Sequence, residues 1–503
     1  MTSRLAFAAV DLGAESGRVV LGRLSGRHVQ IEVIHRFENR PVTLPDGLHW
    51  NLPGLFADAL SGLARAASDA GRLDGVGIDG WGVDYALLDS SRRILGLPFH
   101  YRDERTSEHV LARAHARVNP AELYARTGIQ RLPINTVYQL VAEQGTPAAA
   151  AADRIAMIPD LLAYWLSGEL ANEITIASTT GLLEARGTTW ARDLVTRLQL
   201  PERPFAGDLV EPGHQLGKVL PRHADLAKAA TGTPVRTVAA HDTASAFAAA
   251  PVRTQRAAIL SSGTWSLLGL EVDEPFLGED AAAFNLTNER GIDGTVRLLR
   301  NVMGLWLLQE CRRSWSANGT TYDYDELRAL ATNARPDVPL FDPDHPSLLR
   351  GGALPDRIAA ACKTGGQPEP ATTGELVRSI LLSLACKYRL VLEQLQLVIG
   401  RRVEVVHALG GGARNELLCQ LTADLLELPV LAGPGEATAL GNVLVQARAV
   451  GELGSLAEIR ELVARSVKPR RYEPRAEQPA DETYERFLTV TGLAGQRPAQ
   501  ATA

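Results

Sequence analysis

A chain of 503 residues exceeds one ordinary core, and at about 150 residues per domain it accommodates two or three domains. Its 45% hydrophobic and 22% charged residues suit a globular protein, and a net charge of −6 without a long basic run argues against a nucleic-acid surface. No run of about 20 apolar residues is free of charge, the four cysteines (Cys311, Cys362, Cys386, Cys419) form no CxxC pair, and the N-terminal apolar run meets an aspartate where a signal peptide would continue; these argue against a membrane span, a zinc or disulfide framework and a secretory leader, and for a cytoplasmic protein with reduced core cysteines.

In chain order, "LAFAAVD" (5–11), "RVVLGRL" (18–24) and "HVQIEVIHRF" (28–37) predict three consecutive strands. A helix follows between Pro53 and Gly71, with Leu55, Phe56, Ala59, Leu60, Leu63 and Ala67 on one face. "GVGIDGWGVDYALLD" (75–89) returns to strand, giving the order β-β-β-α-β. The same grammar recurs past the middle. "AAILSSGTWSLLGLEV" (257–272) reads as strand, small-residue turn and strand, "TVRLLR" (295–300) as a third strand, and "NVMGLWLLQECRRSW" (301–315) as a helix. The segment 333–357, rich in Pro, Gly and Asp, predicts a surface excursion. A long helix begins at Thr372, which with Glu375 forms a capping-box pattern. A strand at 403–409, the turn "GGGARN" and a helix from Glu416 come next, and the tail from Lys468 is expected to be partly disordered. The economical reading is an α/β chain of two similar domains, 1–245 and 254–450, with a cleft between them, a boundary within 243–256 and an extension over 451–503.

Five places carry candidate chemistry. The turn Ala14, Glu15, Ser16, Gly17 and Arg18 offers converging backbone N–H groups, with Gly17 permitting conformations other residues avoid. Asp11, just before it, suits a hydrated Mg²⁺ held against phosphates, although a plain structural turn also fits. The second hairpin turn, with Ser262, Gly263 and Thr264, repeats the device. His241-Asp242-Thr243 ends a strand near the boundary. Asp242 there suits a proton acceptor for an attacking hydroxyl, and it fits a helix N-cap equally well. "GGGARN" lacks dinucleotide spacing and suits an adenosine or α-phosphate contact. In "IDGWGVD" (78–84) and "YRDERT" (101–106), Trp81, Asp84, Arg102 and Asp103 suit either a sugar pocket or core packing.

The set "VDLGAESGR", "GIDGWGVDYALLD", "AAHDTASA", "SSGTWSLLG" and "NVMGLWLLQE" resembles the FGGY family of carbohydrate kinases, within the actin-like ATPase superfamily, over residues 5 to 450. The resemblance implies two ribonuclease-H-like domains with an interdomain cleft, and Mg²⁺-assisted transfer of phosphate from ATP to a sugar hydroxyl. The linked motifs narrow it to members that act on L-rhamnulose at O1, in L-rhamnose breakdown, with ADP as the other product. Matched residue by residue, it makes Asp242 the proton acceptor. It gives the sugar to Gly82, His241, Asp242, Thr243 and Asn301, and ATP to Ala14, Glu15, Ser16, Gly17, Arg18, Thr264, Gln309 and Gly411, with Asp11 facing the magnesium. Glu15 and Gly80 depart from the family pattern, the first setting a carboxylate beside polyphosphate and the second implying a looser sugar pocket. Other ketoses, L-fuculose or xylulose, stay open as substrates, as does an actin- or chaperone-like ATPase. Neither nucleic acid nor membrane is expected as a partner, and the oligomeric state is left open.

Overall fold

Apolar runs parted by short turns of small residues draw the first three strands into an antiparallel meander. In the computed structural model, which describes residues 5–26, 28–223, 228–475 and 480–498, these strands are Leu5–Leu12, Ser16–Ser25 and His28–Glu38. The chain divides into two compact units that do not follow chain order alone. The first unit comprises Met1–Pro251, Glu271–Leu298 and Ala437–Val467, and the second Val252–Leu270, Leu299–Glu436 and Lys468–Ala503.

In the first unit the meander is extended by a parallel strand, Gly75–Gly80, on the far side of Leu5–Leu12; Pro234–Arg236 runs parallel to that, and Gln215–Lys218 closes the edge antiparallel. Parallel strands need a crossover, and the helix Leu52–Ala70 supplies the first. Asn51 caps it, Gly71 ends it at φ 72°, and Leu55, Ala59, Leu60, Leu63 and Ala67 are buried. The helix Ala437–Ala449 also packs on this sheet, placing Leu440, Val443 and Leu444 against Phe7, Ala9 and Val20. A side chain at Gly22 would lie 2.4 Å from Val443, so the helix can come this close only over glycine. Between Gly80 and Pro234 the chain builds a further core, in which Leu87, Val137, Tyr138, Ile155, Trp190 and Phe205 are buried together.

A second sheet, drawn mostly from the second unit, has seven strands in the order Thr287–Arg290, Val296–Met303, Trp265–Val272, Ala257–Ser262, Val405–Leu409, Val430–Ala432 and Arg470–Tyr472. Its hairpin Ala257–Ser262/Trp265–Val272 is antiparallel, the next two strands are parallel, and the last is antiparallel. With Thr287–Arg290 set aside as an additional edge strand, both sheets read third, second, first, fourth, fifth strand and then an edge. The helix Thr373–Ile399 starts as expected, with the Thr372 side chain accepting from Glu375 N, but Glu375 reaches back to Ala371 N rather than to Thr372.

Four readings need correction, and a fifth, on the tail, is only partly covered by the described residues. Residues 75–89 form two strands, Gly75–Gly80 in the main sheet and Tyr85–Leu88 paired with Arg154–Met157, because Val83 turns the chain at φ 68°. Residues 301–303 complete a strand, and the helix begins only at Trp306. In 333–357 the chain is largely irregular, yet Val338, Leu340 and Phe341 are buried, and a helix, Leu354–Thr364, begins inside it. The tail forms the strand Arg470–Tyr472 and the helix Ala480–Thr491; residues 476–479 and 499–503 of the expected disordered stretch lie outside the described residues. Gly17 does not have a positive φ; its lack of a side chain is needed because a Cβ there would lie 2.2 Å from the Phe37 ring.

Candidate active site

In the first unit, parallel strands deliver their carboxyl ends to one place. Asp11 stands opposite Asp79 in the parallel register, and His241 bridges to Gly80, so Asp11, Asp79 and His241-Asp242 gather at the same end of the sheet. That end is where open α/β sheets bind ligands, because the chain turns away there and leaves room. Asp11 is buried and pairs with Arg18 Nη2 at 2.7 Å, the residue opposite it across the hairpin. Asp79 is fully buried, with Oδ2 accepting from Asn442 Nδ2 and Oδ1 lacking a hydrogen-bond partner. Burial, with Asp11 and Asp242 adding repulsion, pushes its carboxyl well above the usual range. Asp79 was missed in the sequence; its signal is an aspartate one residue before the end of the strand that pairs parallel with the strand of Asp11.

The hairpin turn between Leu12 and Gly17 is closed by Gly13 N donating to Ser16 O (3.1 Å). Asn39 braces it, its N donating to Glu15 O and its Nδ2 to Gly13 O. Ala14, Glu15, Ser16 and Arg18 are half-buried and Gly17 is buried.

Asp242 opens the helix Asp242–Ala248, and its N-cap is His241, whose side chain makes no capping bond. The N-cap reading of Asp242 is thus set aside. Its side chain is 30% exposed, Oδ1 accepts from Thr243 Oγ1 (3.1 Å), and His241 Nε2 stands 3.5 Å from the same oxygen. The helix is fixed from behind: a Cβ at Gly441 would fall 1.9 Å from Ser245 O, so Ala437–Ala449 packs backbone to backbone against it. Glu173 braces the approach to His241 by accepting from Ala240 N (3.0 Å).

Gly82 lies against Thr179, whose Oγ1 accepts from Val83 N (3.1 Å). Of the polar and aromatic group read as either pocket or core, Trp81, Asp84 and Asp103 take part in structural hydrogen bonds. Asp84 is fully buried; Oδ2 accepts from Trp50 Nε1 (2.6 Å), Trp81 Nε1 (3.0 Å) and Tyr101 N (3.2 Å), and Oδ1 from Gln139 Nε2 (2.9 Å). Burial, only partly offset by these donors, raises its pKa to about 6. Asp103 accepts from Leu48 N and Arg105 N. At Gly80 a Cβ would press on Leu12 and Pro159 at 3.1–3.3 Å, so the missing side chain opens no sugar pocket.

In the second unit the turn Ser262–Trp265 is tied to the corner that starts the helix Trp306–Ala317: Leu305 N donates to Gly263 O and Trp306 N to Thr264 O. Gly304 makes this possible, since a Cβ there would lie 2.6–2.9 Å from the backbone of the turn. Gln309 follows one helical turn on, and its Oε1 is buried without a hydrogen-bond partner. The glycine turn packs on the same strand end: a Cβ at Gly412 would meet Ser262 Oγ at 2.0 Å, while Gly411 is exposed with nothing within 4 Å. Thr264, Gln309 and Gly411 are thus brought around one strand end, and Asn301 lies on the strand that leads into the corner.

The orphaned Asp79 Oδ1 beside Asp11 fits a hard, hydrated cation such as Mg²⁺, which prefers carboxylates and keeps several waters. Among the described residues no three His, Cys, Asp or Glu side chains are arranged to grip an ion directly. No helix among the described residues is long and apolar enough to cross a membrane.

Residues 7–248 match the N-terminal domain of the FGGY family of carbohydrate kinases, and residues 258–450 its C-terminal domain. A rhamnulokinase of Bacteroides thetaiotaomicron is 39% identical over 483 residues, covering 96% of this chain and 98% of that protein. One of Pectobacterium carotovorum is 41% identical over 491 residues, covering 96% of each. Among solved structures, xylulose kinase from Lactobacillus acidophilus superposes with a TM-score of 0.76 at 15% identity, over 98% of this chain and 97% of that one. Plasmodium falciparum glycerol kinase with ADP does so with a TM-score of 0.73 at 15% identity, over 100% of both. With both family domains matched in order along nearly the whole chain, and with the fold of known sugar kinases, the chain belongs to the FGGY family of carbohydrate kinases.

Proposed function

We propose that this enzyme phosphorylates L-rhamnulose at O1, using ATP and giving L-rhamnulose 1-phosphate and ADP, as a cytoplasmic step of L-rhamnose breakdown. The observation that carries the substrate is the run of relatives named rhamnulokinase, 38–41% identical over 96–97% of the chain.

Phosphoryl transfer asks a protein for positioning and charge neutralisation more than for covalent chemistry. Asp242, partly exposed at the end of the sheet, takes the O1 proton as that oxygen bonds to the γ-phosphorus and the bond from phosphorus to the ADP oxygen breaks. Gly82, His241, Thr243 and Asn301 hold the sugar. The backbone N–H groups of Ala14, Glu15, Ser16, Gly17 and Arg18 bind phosphate, while Thr264, the open Gly411 and the unpartnered Gln309 Oε1 serve the rest of the nucleotide. When bound, Mg²⁺ neutralises phosphate charge, and Asp11 and Asp79 are the groups that face it.

The test is ADP release measured with L-rhamnulose, L-fuculose and xylulose in parallel. The highest kcat/KM is expected with L-rhamnulose. A higher value with another ketose overturns the substrate assignment, and ATP turnover that needs no sugar and rises with an added peptide overturns the sugar-kinase reading itself.

A further inference from the structure

Behind His241 lies a buried ion pair that none of the roles above uses. Arg297, on the strand Val296–Met303, and Glu289, on the strand Thr287–Arg290, both belong to the first unit with His241 and Asp242. The Arg297 side chain is fully buried. Its Nε donates to Arg290 O (3.1 Å), Nη1 lies 3.1 Å from Glu289 Oε2, and Nη2 is 3.1 Å from His241 Nδ1. Glu289 Oε2 also stands 3.2 Å from His241 Nδ1. Glu173 and Glu271 add negative potential at Arg297, and Asp79 faces Asp242 from the neighbouring strand.

A guanidinium has donors and no acceptor, so each of its buried N–H groups needs a lone pair to point at. Nη2 is directed at His241 Nδ1. A proton on Nδ1 would set two buried N–H groups head-on, an unsatisfied arrangement of the costly kind. Among the described residues the opposite tautomer has only Glu289 to favour it, and the charge of that carboxylate is already compensated by Nη1. Nδ1 is therefore bare, and the ring hydrogen sits on Nε2, toward Asp242 Oδ1. Thr243 Oγ1 donates to the same oxygen, and among the described residues no hydrogen bond reaches Oδ2.

We infer that Arg297, held by Glu289, is a positioning residue that fixes His241 as its Nε2–H tautomer, so that Asp242 is anchored through Oδ1 and presents Oδ2 to the substrate hydroxyl. The tautomer assignment is independent of the sugar, whereas its catalytic consequence rests on the kinase reading above.

The full-length protein carrying ¹⁵N-labelled histidine tests it, with the His241 signals assigned by their loss in His241→Gln. The expected spectrum shows an unprotonated Nδ1 and a protonated Nε2, preserved in Arg297→Lys and changed in Arg297→Met. In kinetics, Arg297→Met is expected to lower kcat about tenfold or more with the KM for ATP within about twofold, and Arg297→Lys to recover most of the loss. A protonated Nδ1 in the unsubstituted chain overturns the inference, as does an unchanged kcat in a folded Arg297→Met. Should Arg297→Met not fold, the spectrum of the unsubstituted chain still decides. A failed ketose panel with the expected spectrum removes the substrate reading and leaves the tautomer standing.

Discussion

Of the two oxygens of Asp242, Oδ1 is crowded by Thr243 and His241, while the side chain as a whole keeps 30% of its surface. A carboxylate so held is both oriented and reachable, which a proton acceptor needs. Asp242→Asn keeps the shape and removes the basic oxygen. Steady-state kinetics should show kcat at least about 100-fold lower, the low end for losing a general base, with sugar affinity by calorimetry largely kept. Asp84 makes the contrasting case. Four donors converge on it in a fully buried site, so it organises Trp50, Trp81, Tyr101 and Gln139 instead of meeting substrate. Burial raises its pKa from 3.8 to about 6 in the folded protein. The folded state thus binds the proton more tightly than the unfolded chain, and its contribution favours folding below about pH 4 and is lost as pH rises through about 6. In urea unfolding, the unsubstituted protein should lose stability relative to Asp84→Asn between those pH values; parallel curves would show that Asp84 does not titrate there.

Among the elements, the helix Asp242–Ala248 owes its position to glycine on its neighbour. A methyl at Gly441 would meet Ser245 O at 1.9 Å, and a backbone atom cannot swing aside as a side-chain tip can. Gly441→Ala should therefore cost about 1–3 kcal/mol in denaturant unfolding, as overpacking does, and should lower kcat by moving the helix that carries Asp242. The hairpins that open each sheet were legible in the sequence, because a short apolar run bounded by a small-residue turn is a local signal. So was the helix Leu52–Ala70, with its proline start and glycine stop. Asp79 was not legible as a partner of Asp11, since parallel register joins residues far apart in sequence and leaves no periodic trace. The strand end at Met303 was read as helix because an unbroken apolar run looks alike in both states, and the tie from Gly304 to the second turn that decides it is tertiary. Trp81 and Asp84 looked like pocket residues because sequence shows their chemistry and hides the donors that already satisfy it.

For the molecule as a whole, both sheets share one strand order apart from the added edge strand Thr287–Arg290, so the duplication read from the sequence is a duplication of topology. The four cysteines are all buried, one in each of four helices: Trp306–Ala317, Leu354–Thr364, Thr373–Ile399 and Glu416–Leu426. Burial lifts the Cys362 thiol to about 11 and those of Cys386 and Cys419 to about 12, and pushes Cys311 up further. Attack on a disulfide reagent needs the thiolate and access to it. The native protein should react with an aromatic disulfide reagent at neutral pH only as it unfolds, releasing chromophore at the rate of denaturation; rapid release from the folded protein would show at least one thiol to be accessible.

The helix Ala437–Ala449 supplies Asn442 to Asp79, Gln446 to the carbonyl of Ala8, and an apolar face to the first sheet. Translation makes the strand Leu5–Leu12 well before this helix. A growing polypeptide on the ribosome thus carries an unfinished sheet, its apolar surface bare, until the helix emerges. The acidic centre is completed only once Asn442 has been made.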